Sequence, residues 1–315
     1  MANTALLFPG QGSQENGMGR DLAESDSTIM ALWKTAERIS GLALREIYWD
    51  GDPEAMALTS NLQPALTITN LAFWNRLSAS LRPSCTAGHS LGELSALAAA
   101  GVLPVDTILE LASLRGRLMS QADPSGVGAM AAIVKVSLDA VERCVTEAKE
   151  KTGEVLVVAN YNTPAQYVVS GTKNAIEAVS AAIKEQKGRA VPLAVSGAFH
   201  SPLMSEAAAE FAKALDALGK GVWNNAAFPV YSNITAKGET DRDLLKEQLK
   251  KQMTSSVYWI DTIRNQWNDG TRSFAECGPK SVLGKMVGPI LKDIAPADAE
   301  PSIFAYNSLA ALQQG

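Results

Sequence analysis

The segment Gly88-His89-Ser90-Leu91-Gly92 places one serine between two glycines. Residues 85–87 read as a short strand before it, and leucines at helical spacing follow it. A Gly-x-Ser-x-Gly pattern between a strand and a helix is typical of a nucleophile elbow, a turn with no room for a Cβ beside the serine. The pattern predicts an α/β fold with Ser90 as a nucleophile; the alternative is a glycine turn that contains a serine by chance.

A serine hydroxyl needs a neighbouring base, and the chain holds only two histidines. His89 is adjacent to Ser90 in the elbow, so its side chain is expected to point away from the serine. His200 precedes Ser201-Pro202, which predicts the start of a helix running to about Gly219. The positive end of that helix disfavours an imidazolium, so His200 is expected to be a neutral general base. The alternative is a histidine with a structural role.

One charged residue lies on an apolar helix face. Residues 105–121 predict a helix, and Arg115 lies seven residues after Ile108 in the middle of its apolar stripe. An unpaired buried charge costs several kcal/mol, so Arg115 needs a partner. That partner is either an internal Asp or Glu or the carboxylate of a substrate, held by the planar guanidinium fork.

Near the amino terminus, residues 4–8 predict a strand that leads into Pro9-Gly10-Gln11-Gly12-Ser13-Gln14. This loop lacks the third glycine of a dinucleotide fingerprint and the lysine of a phosphate loop, which argues against a nucleotide site. It is better suited to point backbone N–H groups into an active site. We expect Gln11 and Leu91, the residue after Ser90, to form an oxyanion hole.

Together these segments resemble the malonyl-CoA:acyl carrier protein transacylases of bacterial fatty acid synthesis. The resemblance extends from Leu6 to about Leu283 and rests on segments that occur in this order: Phe8-Pro9-Gly10-Gln11-Gly12-Ser13-Gln14, Gln63-Pro64-Ala65-Leu66, Gly88-His89-Ser90-Leu91-Gly92-Glu93, Arg115-Gly116, Gly128-Ala129-Met130 and Gly197-Ala198-Phe199-His200-Ser201.

The resemblance implies a role for each matching residue. Ser90 would be the nucleophile, His200 the base, and Arg115 the ligand of the malonyl carboxylate. The backbone N–H groups of Gln11 and Leu91 would form the oxyanion hole, with Gln11 also among the substrate-binding residues.

Three further expectations follow from the resemblance. Gln252 would orient His200 through its main-chain carbonyl, in place of the carboxylate of a triad, so the site is expected to be a dyad. Phe199 would bind substrate and exclude α-branched acyl groups. Gln63 is a further candidate for the wall of the site.

The implied reaction moves a malonyl group from malonyl-CoA to the phosphopantetheine thiol of acyl carrier protein through a malonyl-serine intermediate. Coenzyme A is then part of the substrate, and neither a cofactor nor a metal is expected. Two alternatives remain: a discrete, trans-acting acyltransferase of a polyketide synthase, which would keep every residue named above, and a serine thioesterase or esterase, which would gain nothing from Arg115.

Composition agrees with a soluble cytoplasmic enzyme. Hydrophobic residues make up 46% and charged residues 19% of the 315 residues, both ordinary globular values. The net charge of −5 argues against nucleic acid as a partner, and no signal sequence or membrane-spanning run is visible. Three widely separated cysteines suggest neither disulfides nor a zinc site. We expect a monomer.

The chain changes rhythm between residues 126 and 199. Strands at 129–134, 154–159, 166–170 and 189–195, with helices at 137–150 and 173–187, give the βαββαβ order of a ferredoxin-like unit. We therefore expect a ferredoxin-like small subdomain (126–199) inserted into a large α/β-hydrolase-like domain with a parallel sheet (1–125 and 200–315). The site should lie between them, where Asn160 and Asn162 would line the cleft or serve as turn residues.

Overall fold

The computed structural model describes residues 3–219, 221–296 and 300–313. Within these ranges the strands are β1 (Thr4–Phe8), β2 (Cys85–Gly88), β3 (Gly128–Val134), β4 (Leu156–Thr163), β5 (Gln166–Thr172), β6 (Arg189–Pro192), β7 (Val230–Tyr231), β8 (Gly238–Glu239), β9 (Ser273–Cys277) and β10 (Ser302–Tyr306).

The helices of the same ranges are α1 (Arg20–Ser25), α2 (Ser27–Ser40), α3 (Leu44–Trp49), α4 (Pro53–Ala57), α5 (Thr59–Leu77), α6 (Gly92–Ala99), α7 (Val105–Gln121), α8 (Leu138–Thr152), α9 (Lys173–Glu185), α10 (Ser205–Ala217), α11 (Arg242–Lys251), α12 (Trp259–Asn268), α13 (Gly284–Leu291) and α14 (Leu309–Gln313). Short 3-10 turns cover Pro202–Met204, Gln252–Thr254 and Pro279–Ser281.

The larger sheet has the strand order β10-β9-β1-β2-β7-β8, and its first five strands are parallel. Its central strands are buried because helices cover both faces, as in other parallel sheets. In the register of β1 and β2, Phe8 lies opposite Gly88, so the loops that follow both strands leave the sheet side by side. Ligands of open α/β sheets bind at this carboxyl edge.

The smaller sheet is antiparallel, with the strand order β4-β5-β3-β6. Along the chain its elements follow the order β3-α8-β4-β5-α9-β6. The mixed α/β class with a parallel sheet and a separate antiparallel sheet, expected from the sequence, is therefore confirmed.

Most predicted element boundaries hold, but the predictions around β4, β6 and α10 need correction. The last strand of the smaller sheet ends at Pro192, not at residue 195, although the Leu193 N–H still donates to the carbonyl of Met130 in β3 at 2.9 Å. Strand β4 runs on to Thr163, past the predicted end at residue 159. The chain after His200 begins as a 3-10 turn at Pro202 and becomes α-helical only at Ser205, ending at Ala217.

A segment that follows α11 forms hydrogen bonds with β4 of the smaller sheet. The N–H of Val257 donates to the carbonyl of Ala159 at 2.8 Å, and the N–H of Tyr161 donates to the carbonyl of Val257 at 2.9 Å. The Ser256 hydroxyl adds a bond to the carbonyl of Val158 at 2.7 Å. The segment thus extends the edge of the smaller sheet by a short parallel bridge.

Glycines allow the turn between β2 and α6 to pack directly against β1. A Cβ added to Gly92 would lie 2.1 Å from the carbonyl oxygen of Phe8, and one added to Gly88 would lie 1.9 Å from the carbonyl carbon of Gly92. A Cβ on Gly10 would lie 2.3 Å from the carbonyl oxygen of His89. Backbone atoms cannot give way as a flexible side chain does, so these positions exclude any larger residue.

The described part of the chain contains no helix with the length and apolar character that a membrane span requires.

This close packing predicts that Gly92→Ala lowers the free energy of unfolding by about 3 kcal/mol, because the new methyl group overlaps the β1 backbone. Gly221→Ala is the control, because Gly221 lies in an exposed turn, without a positive φ, where an added Cβ would meet no atom within 4 Å. The control should be neutral or stabilising by about 0.4 to 1 kcal/mol. Urea unfolding of both variants provides the measurement, and equal effects would show that space at the turn is not limiting.

Candidate active site

Ser90 occupies a strained turn at the carboxyl end of β2. Its φ angle is 51°, in the left-handed region that serine rarely adopts, and α6 starts two residues later. Asn233 holds this conformation: its Oδ1 accepts from the Ser90 N–H at 2.7 Å, and its Nδ2 donates to the carbonyl of Gly88 at 2.6 Å. The strain is thus supported by a side chain 143 residues away in sequence.

His200 contacts the hydroxyl of Ser90 directly. The Nε2 atom lies 2.7 Å from Ser90 Oγ, while Nδ1 lies 3.1 Å from the carbonyl oxygen of Gln252 and 3.0 Å from that of Ser255. Carbonyl oxygens only accept, so Nδ1 carries the proton and Nε2 is free to accept one from the serine. Burial, reinforced by the charge of Arg115, lowers the pKa of His200 to about 3, which keeps the ring neutral at pH 7.

Arg115 lies on α7 with only 1% of its surface exposed. Its Nη1 donates to Gln63 Oε1 at 2.9 Å, and its Nη2 donates to Gln252 Oε1 at 2.9 Å and to Ser90 Oγ at 3.2 Å. Its Nε has no partner. Among the described residues no ion pair includes Arg115, so the internal Asp or Glu considered as a direct partner is not present.

The amino-terminal loop borders the elbow. A Cβ added to Gly10 would lie 3.6 Å from the Leu91 nitrogen, and the His89 N–H donates to the carbonyl of Phe8 at 2.9 Å. Within the described part of the chain, neither the Gln11 N–H nor the Leu91 N–H donates a hydrogen bond. Two backbone donors are therefore available close to Ser90.

These residues surround one cavity of about 210 Å³. Its walls come from the larger sheet's loops, α7 and the smaller sheet: Gln11, His89, Ser90, Leu91, Arg115, Met119, Met130, Ala132, Asn160, Asn162, Gln166, Val168, Leu193, Val195, Phe199 and His200. Apart from its polar end at Ser90, much of the wall is aliphatic or aromatic.

The structure places most of the predicted site residues in this wall and two behind it. Gln63 and Gln252 do not line the cavity but bind Arg115 from the protein side. Asn160 and Asn162 lie in β4 and not in a turn, and Asn162 Oδ1 contacts His89 Nε2 at 2.8 Å. His89 therefore points at the smaller sheet, away from Ser90.

Sequence reasoning missed three residues of the site. Ser255 supplies a second carbonyl for His200, Asn233 clamps the elbow, and Glu93 accepts from Gln252 Nε2 at 2.8 Å. Glu93 alone left a signal in the sequence, because it is the single charged residue of α6, a helix otherwise made of Gly, Leu, Ser and Ala. Burial raises the pKa of its carboxyl to about 7.

Comparison with known proteins places this site in a family. The sequence model of the acyl transferase domain family matches residues 5–303. The chain is 39% identical over 314 residues to a malonyl CoA-acyl carrier protein transacylase of Bacillus subtilis strain 168, covering 98% of each chain.

Comparison with solved structures leads to the same family. An acyl carrier protein S-malonyltransferase from Vibrio cholerae O1 biovar eltor superposes with a TM-score of 0.91 at 36% identity, over 99% of both chains. A malonyl-transacylase solved in complex with a type II PKS acyl-carrier protein gives 0.91 at 33% identity, over 99% of this chain and 98% of the other. The chain therefore belongs to the acyl transferase domain family and, within it, to the malonyl CoA-acyl carrier protein transacylases.

Proposed function

We propose that this chain transfers malonyl groups from malonyl-CoA to the phosphopantetheine thiol of acyl carrier protein through a malonyl-Ser90 ester, in fatty acid synthesis. One observation carries the assignment of residues. Ser90 Oγ lies 2.7 Å from a neutral histidine nitrogen and 3.2 Å from a buried guanidinium, all within one cavity. A nucleophile, a base and an anion-binding group are thus within reach of one small acyl chain.

In the first half-reaction, His200 Nε2 takes the proton of Ser90 Oγ while Oγ attacks the thioester carbonyl of malonyl-CoA. The tetrahedral oxyanion accepts hydrogen bonds from the N–H groups of Gln11 and Leu91, where losing one donor typically costs about 3 to 4 kcal/mol. The C–S bond then breaks, His200 returns the proton to the departing sulfur, and coenzyme A leaves. A malonyl-Ser90 ester remains.

In the second half-reaction, His200 takes the proton of the carrier protein's thiol, and the sulfur attacks the ester carbonyl. Collapse of the intermediate breaks the bond to Ser90 Oγ, which regains a proton from His200. Backbone carbonyls of Gln252 and Ser255 orient the ring throughout. They stabilise an imidazolium less than a carboxylate would, which suffices for the first half-reaction because a thiolate is a better leaving group than an amine.

Arg115 would bind the carboxylate of the malonyl group. Its guanidinium is buried and reaches the Ser90 hydroxyl, so an acyl chain on that oxygen would extend next to it. The same placement argues against a simple thioesterase or esterase, in which a buried cation near the nucleophile would have no use. Among the remaining wall residues, Phe199 would limit the space at the α-carbon, and Asn160 and Asn162 would form the opposite wall.

The proposal includes the setting of the enzyme. We expect no metal or organic cofactor, since the thioester supplies the activated acyl group. The protein is proposed to act as a monomer. Cys85, Cys144 and Cys277 are buried and unpaired, as expected in the reducing cytoplasm. Light scattering of the purified protein tests the monomer.

Two subdomains are proposed around the site: a large α/β-hydrolase-like part (1–125 and 200–315) and an inserted ferredoxin-like part (126–199). The antiparallel order β4-β5-β3-β6 and the βαββαβ sequence of elements support the second. Expression of residues 126–199 alone, followed by circular dichroism and amide exchange, tests whether they fold as a unit.

A discrete acyltransferase serving a polyketide synthase is the second candidate, because one structural relative was solved with the carrier protein of such a synthase. The same residues would perform the same chemistry. Transfer rates to the fatty acid and polyketide carrier proteins of the source organism distinguish the two.

We predict that malonyl-CoA adds one malonyl group to the protein and that Ser90→Ala abolishes the addition, as measured by intact-protein mass spectrometry. His200→Ala should slow acylation about 100-fold or more through loss of the base. His89→Ala is the matched control, since this second, half-buried histidine lines the cavity but contacts Asn162. Labelling that persists in Ser90→Ala would refute the mechanism.

Arg115→Ala should damage malonyl transfer far more than acetyl transfer, because acetyl-CoA leaves the guanidinium unpaired in any case. Discrimination of the order of 10⁴ is typical when a buried polar group loses its partner. Arg115→Lys should recover little, since a point charge cannot reproduce the fork. The specificity constants for both thioesters give the ratio, with exposed Arg117→Ala as control. An unchanged ratio in Arg115→Ala would make this arginine purely structural.

Phe199 should favour malonyl-CoA over methylmalonyl-CoA by about 10- to 200-fold, the value of one methyl group in a packed pocket. Phe199→Ala should shrink that preference by opening space beside the acyl α-carbon. Competition between the two thioesters, read by mass spectrometry of acyl-Ser90, measures both ratios. Equal use of the two by the unmodified enzyme would contradict the prediction.

A further inference from the structure

Glu93 is a buried carboxylate that the catalytic steps above do not use. It is 1% exposed, and its Oε2 accepts from Gln252 Nε2 at 2.8 Å and from the Asn233 N–H at 3.2 Å. A carboxylate out of contact with water is costly unless hydrogen bonds and an opposite charge compensate it. The opposite charge nearest in this network is Arg115, which acts on Glu93 at a distance.

A single amide separates the two charges. Gln252 Oε1 accepts from Arg115 Nη2, and Gln252 Nε2 donates to Glu93. A guanidinium only donates and an ionised carboxylate only accepts, so this is the one orientation of the Gln252 amide that satisfies both neighbours. Gln252 is itself 1% exposed, so water does not screen the pair.

Because the Gln252 amide separates Glu93 from Arg115, the Arg115 guanidinium remains available to bind an incoming anion. Each hydrogen bond that Arg115 makes goes to a neutral oxygen, on Gln63, Gln252 or Ser90, and Nε makes none. A carboxylate in direct contact would form a bidentate pair and compete with any incoming anion. A carboxylate one amide away offsets part of the cost of burying the cation while the fork stays open.

We propose that Glu93 is the internal counter-ion of Arg115 and that its charge limits how tightly the site holds a malonyl carboxylate. The inference rests on the carboxylate-binding role proposed for Arg115. Without substrate, the buried network carries one positive and one negative charge and is neutral. A bound malonyl carboxylate makes it net negative, so Glu93 opposes the substrate that Arg115 attracts.

The repulsion between Glu93 and a bound malonyl carboxylate also affects proton binding by Glu93. Burial raises the pKa of Glu93 to about 7, and Arg115 is the one charged group acting on it within the described residues. Burial keeps His200 and His89 neutral by lowering their pKa, and Arg115 stays charged because its pKa falls only to about 10. A nearby malonyl carboxylate raises the pKa of Glu93 further, so binding at pH 7.5 should take up protons at Glu93.

The test compares Ser90→Ala protein, which binds thioesters without being acylated, with Ser90→Ala/Glu93→Gln. The glutamine is isosteric and can present an oxygen to Gln252 and Asn233, so the change removes charge more than contacts. The matched control is Ser90→Ala/Glu276→Gln, because Glu276 is equally buried but binds the N–H groups of Val282 and Gly284.

Calorimetric titration with malonyl-CoA at pH 8.5, where Glu93 is ionised in the free protein, should give about a tenfold lower Kd for Glu93→Gln, from relief of a charge repulsion across a few ångströms of protein. The Kd for acetyl-CoA, which lacks the carboxylate, should change by less than about twofold on the same grounds. Titrations in buffers of different ionisation enthalpy should show proton uptake with malonyl-CoA that disappears in Glu93→Gln. Glu276→Gln should leave all three values unchanged.

An unchanged or raised Kd for malonyl-CoA in Glu93→Gln, or undiminished proton uptake, would overturn the proposal. Equal weakening of both thioesters would also overturn it, because it would show that Glu93 only maintains the shape of the site. Failure of the proposed Arg115 function is recognised separately, since the Ser90→Ala protein with Glu93 intact would then bind malonyl-CoA no better than acetyl-CoA.

Discussion

A positive charge buried beside a serine hydroxyl is the constraint to which the rest of this site is adjusted. Arg115 is almost fully inaccessible, so each of its N–H groups must find an oxygen from protein or ligand. Glutamines from α5 and from the turn after α11 supply two, and the Ser90 hydroxyl supplies a third. The carboxylate of a dicarboxylic acyl chain would accept further hydrogen bonds from this guanidinium. The free protein would therefore already favour such a chain before it binds.

The same charge also affects His200. A cation next to an imidazole disfavours protonation, and burial acts in the same direction, so both lower the pKa of His200. The ring is thereby held ready to accept a proton, at the cost of a less stable imidazolium once it has done so. Two backbone carbonyls that accept from Nδ1 partly stabilise the imidazolium without adding a formal charge.

Local sequence patterns predicted those parts of the site that local structure creates. The elbow at Ser90, the strand at residues 4–8 and the helix of residues 105–121 follow from glycine placement and hydrophobic periodicity, and the structure has each where expected. Pairing Ser90 with His200 was possible because histidine is scarce in this chain.

The residues that escaped prediction act through contacts between distant parts of the chain. Asn233 and Glu93 meet across 140 positions, and Ser255 reaches His200 across 55. Nothing in the immediate sequence of an asparagine or a serine indicates such a partner, since both are ordinary loop residues. Glu93 is the exception, because its own segment indicates a partner. An acidic residue in a buried helix that is otherwise uncharged needs a neighbour that compensates its charge. The smaller sheet was anticipated in outline, but its strand ends differ, since β4 runs on to Thr163 and β6 ends at Pro192.

The bridge between Val257 and the edge of β4 links the width of the cleft to the orientation of the His200 ring. The residue that supplies one of the carbonyls to His200 is two positions from the residue that pairs with the smaller sheet. A displacement of that sheet would therefore shift the carbonyl that accepts from His200 Nδ1. Under the proposed mechanism, a change to the wall that holds the acyl chain would therefore also change how the Ser255 carbonyl orients the base.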